Sequence, residues 1–411
     1  MDVDALAAEL DELLADADEA LTRNYPGERA GRQPVHTLYL PADRFHQRSV
    51  RDLGREAEQV VLEHAEEFLA VIDGDDELMA RVLTKLATEP VEDLRIDFED
   101  GYGDRGDDAE DAAAEAAGQA LGAALDEDGA PPFAGIRVRS LEPATRPRSL
   151  RTLVRFLEAL GRIPDDFVVT LPKVTSTEQV EAMTLACDHV ERSLRGRLLF
   201  EVQVETPQSV LGPDGRVLLS SMVRVAEGRL TAFHYGTYDY SAACGIAAGQ
   251  QALDHPAADH AKTVMQVAAA GTGVRLSDGS TNRLPVGDSL VPGWREHMRL
   301  VRYSLHRGFY QGWDLHPAQL PTRYAATYSF FRDGFGPAAE RLRAYLGRED
   351  SAILDEPATA RALSDFVVRG LDCGAFGEAE VVDATGLEPG TLLSMARRPG
   401  AAADPPPDQG D

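Results

Sequence analysis

At 411 residues the chain has room for two or three average domains or for one large barrel, so length alone leaves the domain count open. A formal net charge of −28 is the wrong sign for a phosphate-binding surface, so no nucleic-acid partner is expected, and no apolar run approaches the ~18 residues of a membrane span. Cys187, Cys244 and Cys373 match no zinc or redox spacing, and the first residues are acidic where a secretory signal is basic, so a reducing, cytoplasmic setting is expected.

Residues 1–34 form an N-terminal helical extension: a helix over 1–30 with Leu6, Leu10, Leu13 and Leu14 on one narrow stripe, then the turn Tyr25-Pro26-Gly27. Such a stripe docks on the main body or on a partner subunit. From 35 to 334, short β-rich runs alternate with amphipathic helical stretches, the pattern of βα units around a parallel sheet. The strands are predicted at 35–40, 93–98, 135–139, 167–172, 198–205 and 230–236, with weaker ones at 274–278 and 309–315. Helical stretches at 149–160, 175–194, 260–270 and 294–308 lie between them. With these four as examples of eight helical stretches alternating with the eight strands, the count predicts an α/β fold, a closed (β/α)8 TIM barrel, whose chemistry sits at the C-terminal strand ends. An open doubly wound sheet is disfavoured, because no GxGxxG follows the first strand and GYGDRG at 101–106 opens no helix. Residues 335–397 read as helical pieces at 338–347, 357–372 and 381–396, a cap or interface segment reaching over a mouth. The Pro- and Asp-rich tail 398–411 has nothing to bury and is expected to be disordered.

The strand ends read LPADR (40–44), DFEDGYGDR (97–105), RVRS (137–140), LPKV (171–174), VETP (204–207), TYDY (237–240), SDG (277–279) and DLHPAQ (314–319), nearly all charged or polar. Glu205 and Asp239 close the fifth and sixth strands. Two carboxylates so placed suit one hard divalent ion, since Mg²⁺ takes oxygen ligands and leaves positions for water and substrate. Each could equally be a solvated loop acid. Lysine occurs only at Lys85, Lys173 and Lys262, so a lysine at a strand end stands out.

Taken in order, these motifs resemble the citrate lyase β-subunit-like family of magnesium-dependent carbon–carbon lyases, which includes malyl-CoA lyases and is distantly related to malate synthases and HpcH/HpaI-type aldolases. The carrying residues are LYLPADR, Asp97-Phe98-Glu99-Asp100, Arg137-Val138, Leu-Pro-Lys-Val, Glu205-Thr206, Gly-x-x-Asp at 236–239 and His316 to Gln319, spanning about 35 to 331. The chain departs from the pattern at Arg139, where Asn is usual, in QSVLGPDGRV after Glu205, and in a long segment from Ala247 to Asp259.

The resemblance implies a Mg²⁺-dependent lyase or aldolase, with Mn²⁺ as substitute, acting on a small oxo- or hydroxy-acid, free or as its coenzyme A thioester. A malate-synthase-like condensation of an acyl-CoA with glyoxylate, and a silent oxoacid-binding barrel, are the alternatives. Glu205 and Asp239 hold the metal and Arg137 steadies the enolate oxygen, unless it is an ordinary barrel ion pair. Glu99 and Asp100 orient metal-bound waters or pair with Arg137 or Arg139. Lys173 offers a rival Schiff-base route. His316 is a proton donor or a helix cap, while Arg44, Arg139 and Thr237 are assigned to the substrate. A homo-oligomer, trimer or hexamer, is expected.

Overall fold

The computed structural model describes residues 2–29, 31–347 and 357–397. The expected tail at 398–411 lies outside the described residues. Eight parallel strands run β1 (His36–Pro41), β2 (Asp93–Asp97), β3 (Phe133–Arg137), β4 (Val168–Leu171), β5 (Leu199–Val204), β6 (Leu230–Tyr235), β7 (Arg275–Ser277) and β8 (Gly312–Asp314). Their order is β7-β6-β5-β4-β3-β2-β1-β8. Two backbone hydrogen bonds join the ends of this sheet, Asp278 N–H to Gln311 O at 2.8 Å and Trp313 N–H to Gly279 O at 3.2 Å. The result is a TIM barrel with helices around it.

Every strand predicted from the sequence is present. The strands are buried along most of their length, because helices cover the outer face and side chains fill the inner one. Alternation along β5 sends Glu201, Gln203 and Glu205 inward at successive heights, and on β2 it does the same for Asp93, Arg95 and Asp97. The barrel is narrow enough that a Cβ on Gly135 of β3 would collide with the Arg95 guanidinium, so glycine there makes room for a buried arginine.

The extensions differ more from expectation. The first helix runs Val3–Asn24 and stops short of Pro26, which disfavours helical conformation in the residue before it. None of its residues is buried, so within one chain its leucine stripe docks on nothing. The piece expected at 338–347 is the end of one helix, Leu320–Gly347, which continues through Pro337. The helix expected at 381–396 is two, Glu378–Thr385 and Pro389–Ala396, separated where Gly386 takes a left-handed φ of 72° and Pro389 restarts the chain.

The C-terminal helices also lie elsewhere than expected. Arg369 on Pro357–Cys373 donates to Gln33, just before β1, and a cavity of about 450 Å³ between these helices and residues 28–33 is lined by Arg275, the first residue of β7. Among the described residues of one chain they therefore lie against the N-terminal ends of the strands and not over the opposite mouth. Among the described residues, no helix is long and apolar enough to cross a membrane.

Candidate active site

A cavity of about 380 Å³ opens at the C-terminal end of the barrel, its wall including Asp97, Arg137, Glu205, Thr237 and Asp239. Tyr39, Trp313 and Leu315 supply its apolar side. Glu205 and Asp239 thus border one space, although the first is buried and the second half exposed. Their difference follows from position: Glu205 continues the inward row of β5, whereas Asp239 sits in the first turn of the short helix Thr237–Ala243 after β6.

Backbone geometry holds Glu205 in place. Its Oε1 accepts the Lys173 backbone N–H at 2.7 Å. A Cβ on Gly236 would collide with the Glu205 side chain, so the glycine after β6 is what lets the carboxylate lie across the strand end. Burial pushes its carboxyl up to about 7, Lys173 pulling down against it while Glu99 and Asp239 add to the rise.

Arg137 is fixed with equal firmness. The β2–β3 register places it directly beside Asp97, and its Nε and Nη2 each donate to that carboxylate at 2.7 Å. Although burial raises the Asp97 carboxyl, Arg137 and the backbone N–H groups of Glu99 and Gly101 outweigh it and keep the group ionised. The remaining guanidinium edge, Nη1, lies 3.2 Å from Glu99 Oε2, and the Tyr39 ring packs 4.8 Å from the guanidinium carbon.

Lys173 lies among the acids. Its ammonium pairs closely with Glu99, sits 3.3 Å from Asp100 and 3.7 Å from Asp239. Burial works against the charge on Lys173, but Glu99 and Glu205 outweigh it and raise its pKa. A lysine whose acid neighbours favour its charged form is a poor Schiff-base nucleophile, which weighs against the rival route. The Glu99 carboxyl itself is raised, by burial first.

The other expected residues are placed apart from this cluster or at its rim. Thr237 lines the cavity, with its hydroxyl donating to Ser280 O at 3.3 Å. The Arg139 guanidinium is taken up by Glu110 at 2.9 Å and by Gly103 O at 2.8 Å, which ties the end of β3 to the preceding helix, Asp107–Leu125, and its entry loop. His316 caps the turn Pro317–Gln319: its Nδ1 accepts the Ala318 N–H at 3.1 Å, and Gln319 answers in a capping box. Burial lowers its pKa. Arg44 is exposed in the turn after β1.

Sequence reasoning quoted Asp97 without a role and passed over Tyr39, Tyr238, Ser280 and Trp313, all of which line the cavity. The one available signal for Asp97 was its inward spacing from Asp93 and Arg95.

Whether these residues suit a divalent ion can be tested on the donor set. It is all oxygen, and it carries more carboxylates than cations. That chemistry fits a hard cation. Among the described residues, no three His, Cys, Asp or Glu side chains are gathered in a ready-made metal cage, so an ion held by Glu205 and Asp239 would need water and substrate oxygens to complete its shell.

A family model described as "Domain of unknown function (DUF6986)" matches residues 14–399. No curated protein matches the chain. Among solved structures, a citrate lyase from Burkholderia xenovorans LB400 superposes with a TM-score of 0.60 at 17% identity, over 87% of this chain and 97% of that one. The Haloferax volcanii malate synthase magnesium/glyoxylate complex gives 0.49 at 15% identity, over 90% and 99%. An HpcH/HpaI aldolase/citrate lyase family protein from Burkholderia cenocepacia J2315 gives 0.41 at 15% identity, over 74% and 96%. The likeness is one of fold, carried by the citrate lyase, and it meets the resemblance seen in the strand-end motifs.

Proposed function

The chain belongs to the DUF6986 family, and from its own residues we propose that it is a Mg²⁺-dependent carbon–carbon lyase or aldolase acting on a small oxo- or hydroxy-acid in the cytoplasm. The observation that carries this reading is the convergence of Glu205, Asp239 and Arg137 on one cavity, with a surplus of carboxylate around it.

Glu205 and Asp239 would hold the ion, with Mn²⁺ as substitute. When bound, the ion supplies Lewis-acid polarisation and a template for the oxygens of an α-oxo acid. Arg137 faces the same space, with Nε and Nη2 committed to Asp97. Its fixed guanidinium is pre-oriented toward charge that builds on an enolate oxygen, which is when such a donor counts most. Asp97 acts through Arg137 as a positioning residue. Tyr39 and Trp313 keep the inner wall apolar, which strengthens every charge interaction in the cavity.

A cavity of about 380 Å³ suits a small acid. The same wall leaves the acyl portion undefined, and cleavage of the free acid is the form to assay first. Trial hydroxy- and oxo-acids should be cleaved only with added Mg²⁺ or Mn²⁺, and Glu205→Gln or Asp239→Asn should each lower turnover by about 10³-fold or more, as loss of a metal does. Full activity in chelated, metal-free protein would overturn the proposal. Arg137→Lys should cost about 10²–10³-fold in turnover, the range seen when one oxyanion donor is lost.

A further inference from the structure

Lys173 is the residue that the proposed reaction leaves unused, and its surroundings suggest a task. It is one of three lysines in the chain, and Lys85 and Lys262 are buried. Its backbone is in the left-handed region, φ 53°, a conformation that non-glycine residues adopt at a cost. That geometry gives one residue two contacts with the same cluster: the backbone N–H on Glu205, and the ammonium on Glu99, Asp100 and Asp239. Asp239 is therefore shared between the lysine and the space that borders Glu205.

We propose that Lys173 is a built-in counter-ion, occupying the carboxylate cluster in the metal-free protein and withdrawing when a divalent cation enters between Glu205 and Asp239. The inference rests on the metal reading above. Its physical basis is charge. Four carboxylates close together repel one another, and one ammonium among them keeps the side chains gathered. A divalent ion at the same place brings twice the charge and repels the ammonium, so the two compete for Asp239. The lysine side chain is 28% exposed, beside the more exposed Asp100 at the rim, so it need not cross the packed core to withdraw.

Two measurements test this. In the wild-type chain, amine acylation read by mass spectrometry should label Lys173 several-fold faster once Mg²⁺ or Mn²⁺ is added, with the buried Lys85 and Lys262 as internal references. In Lys173→Met, calorimetry should show Mn²⁺ binding at least about tenfold tighter, with the metal-free melting temperature lowered and the metal-loaded one close to wild type. Lys173→Arg, which keeps the charge, should bind Mn²⁺ as the wild type does. Unchanged Lys173 labelling with metal bound, or a Met variant that binds no tighter, overturns the counter-ion while leaving the metal reading intact. Failure of the wild type to bind Mg²⁺ or Mn²⁺ at all overturns both. The labelling result stands even where the Met variant does not fold.

Discussion

Two charged layers occupy the same barrel, one above the other, and only the upper one borders a cavity large enough for a small acid. In the lower layer Arg95 donates to Asp93 at 2.8 Å and to Glu201 at 3.2 Å, while the Thr37 and Thr170 hydroxyls donate to the same two carboxylates. His234 adds a fourth partner. Its Nδ1 accepts the Trp313 indole N–H at 2.9 Å, so the ring proton sits on Nε2, which faces Glu201 at 3.0 Å. The space left there is about 40 Å³. In the upper layer Asp97, Glu99, Asp100, Glu205 and Asp239 surround two cations, Arg137 and Lys173, beside a cavity of about 380 Å³. Buried charge is common to both layers; a surplus of carboxylate next to open volume belongs to the upper one alone.

Two glutamates on one strand, four residues apart, carry this contrast and give the largest expected effect. Glu201→Gln leaves His234 without its acid and Arg95 with Asp93 alone, and should cost about 3–5 kcal/mol of stability. Glu205→Gln removes a carboxylate that is costly to ionise, so at pH 8 and without metal it should unfold at the same or higher urea concentration than wild type. Equal destabilisation of the two variants in urea titrations would erase the distinction between the layers.

The pH dependence should split the same way, by somewhat less. Burial raises Glu201, but Arg95 and His234 outweigh it and bring it down to about 2. Its contribution is present above the unfolded value of 4.5 and is lost as pH falls toward 2. Glu205, raised to about 7, behaves oppositely: the folded state gains most below 4.5 and loses that gain as pH rises through 7. Each swing is worth ~3 kcal/mol by linkage. In chelator, Glu205→Gln should remove the decline between pH 5 and 8 and leave the acid limb unchanged; a decline that persists in this variant would mean another group causes it.

The smallest effect concerns Arg139. Because Glu110 and Gly103 hold it, Arg139→Gln should lower stability by about 1–2 kcal/mol through the loss of a partly buried ion pair, with KM changed less than twofold. A tenfold rise in KM at unchanged stability would return Arg139 to the substrate.

The same comparison shows which features could be read from the chain alone. The strands were legible because runs such as LLFEVQVE and LTAFHYG are apolar, short and bounded by turn residues, and because their polar members recur at spacing two. The acid pair was legible because strand ends in a barrel converge. Arg139 was not, since parity along β3 ends with the strand at Arg137 and the next residues follow the loop. His316 showed only its residue type, and a histidine before Pro-x-Gln serves a cap as readily as a proton transfer.

What the sequence by itself determined was the barrel and that Glu205, Asp239 and Arg137 stand at strand ends, since periodicity and strand-end chemistry are local properties that neighbours in the chain report. What only the tertiary structure decided was who pairs with whom: Asp97 with Arg137 through strand register, Lys173 with acids from two other strand ends, and the C-terminal helices beneath the barrel instead of over its mouth. Those outcomes depend on distances between residues 40 to 340 positions apart, which no local pattern encodes.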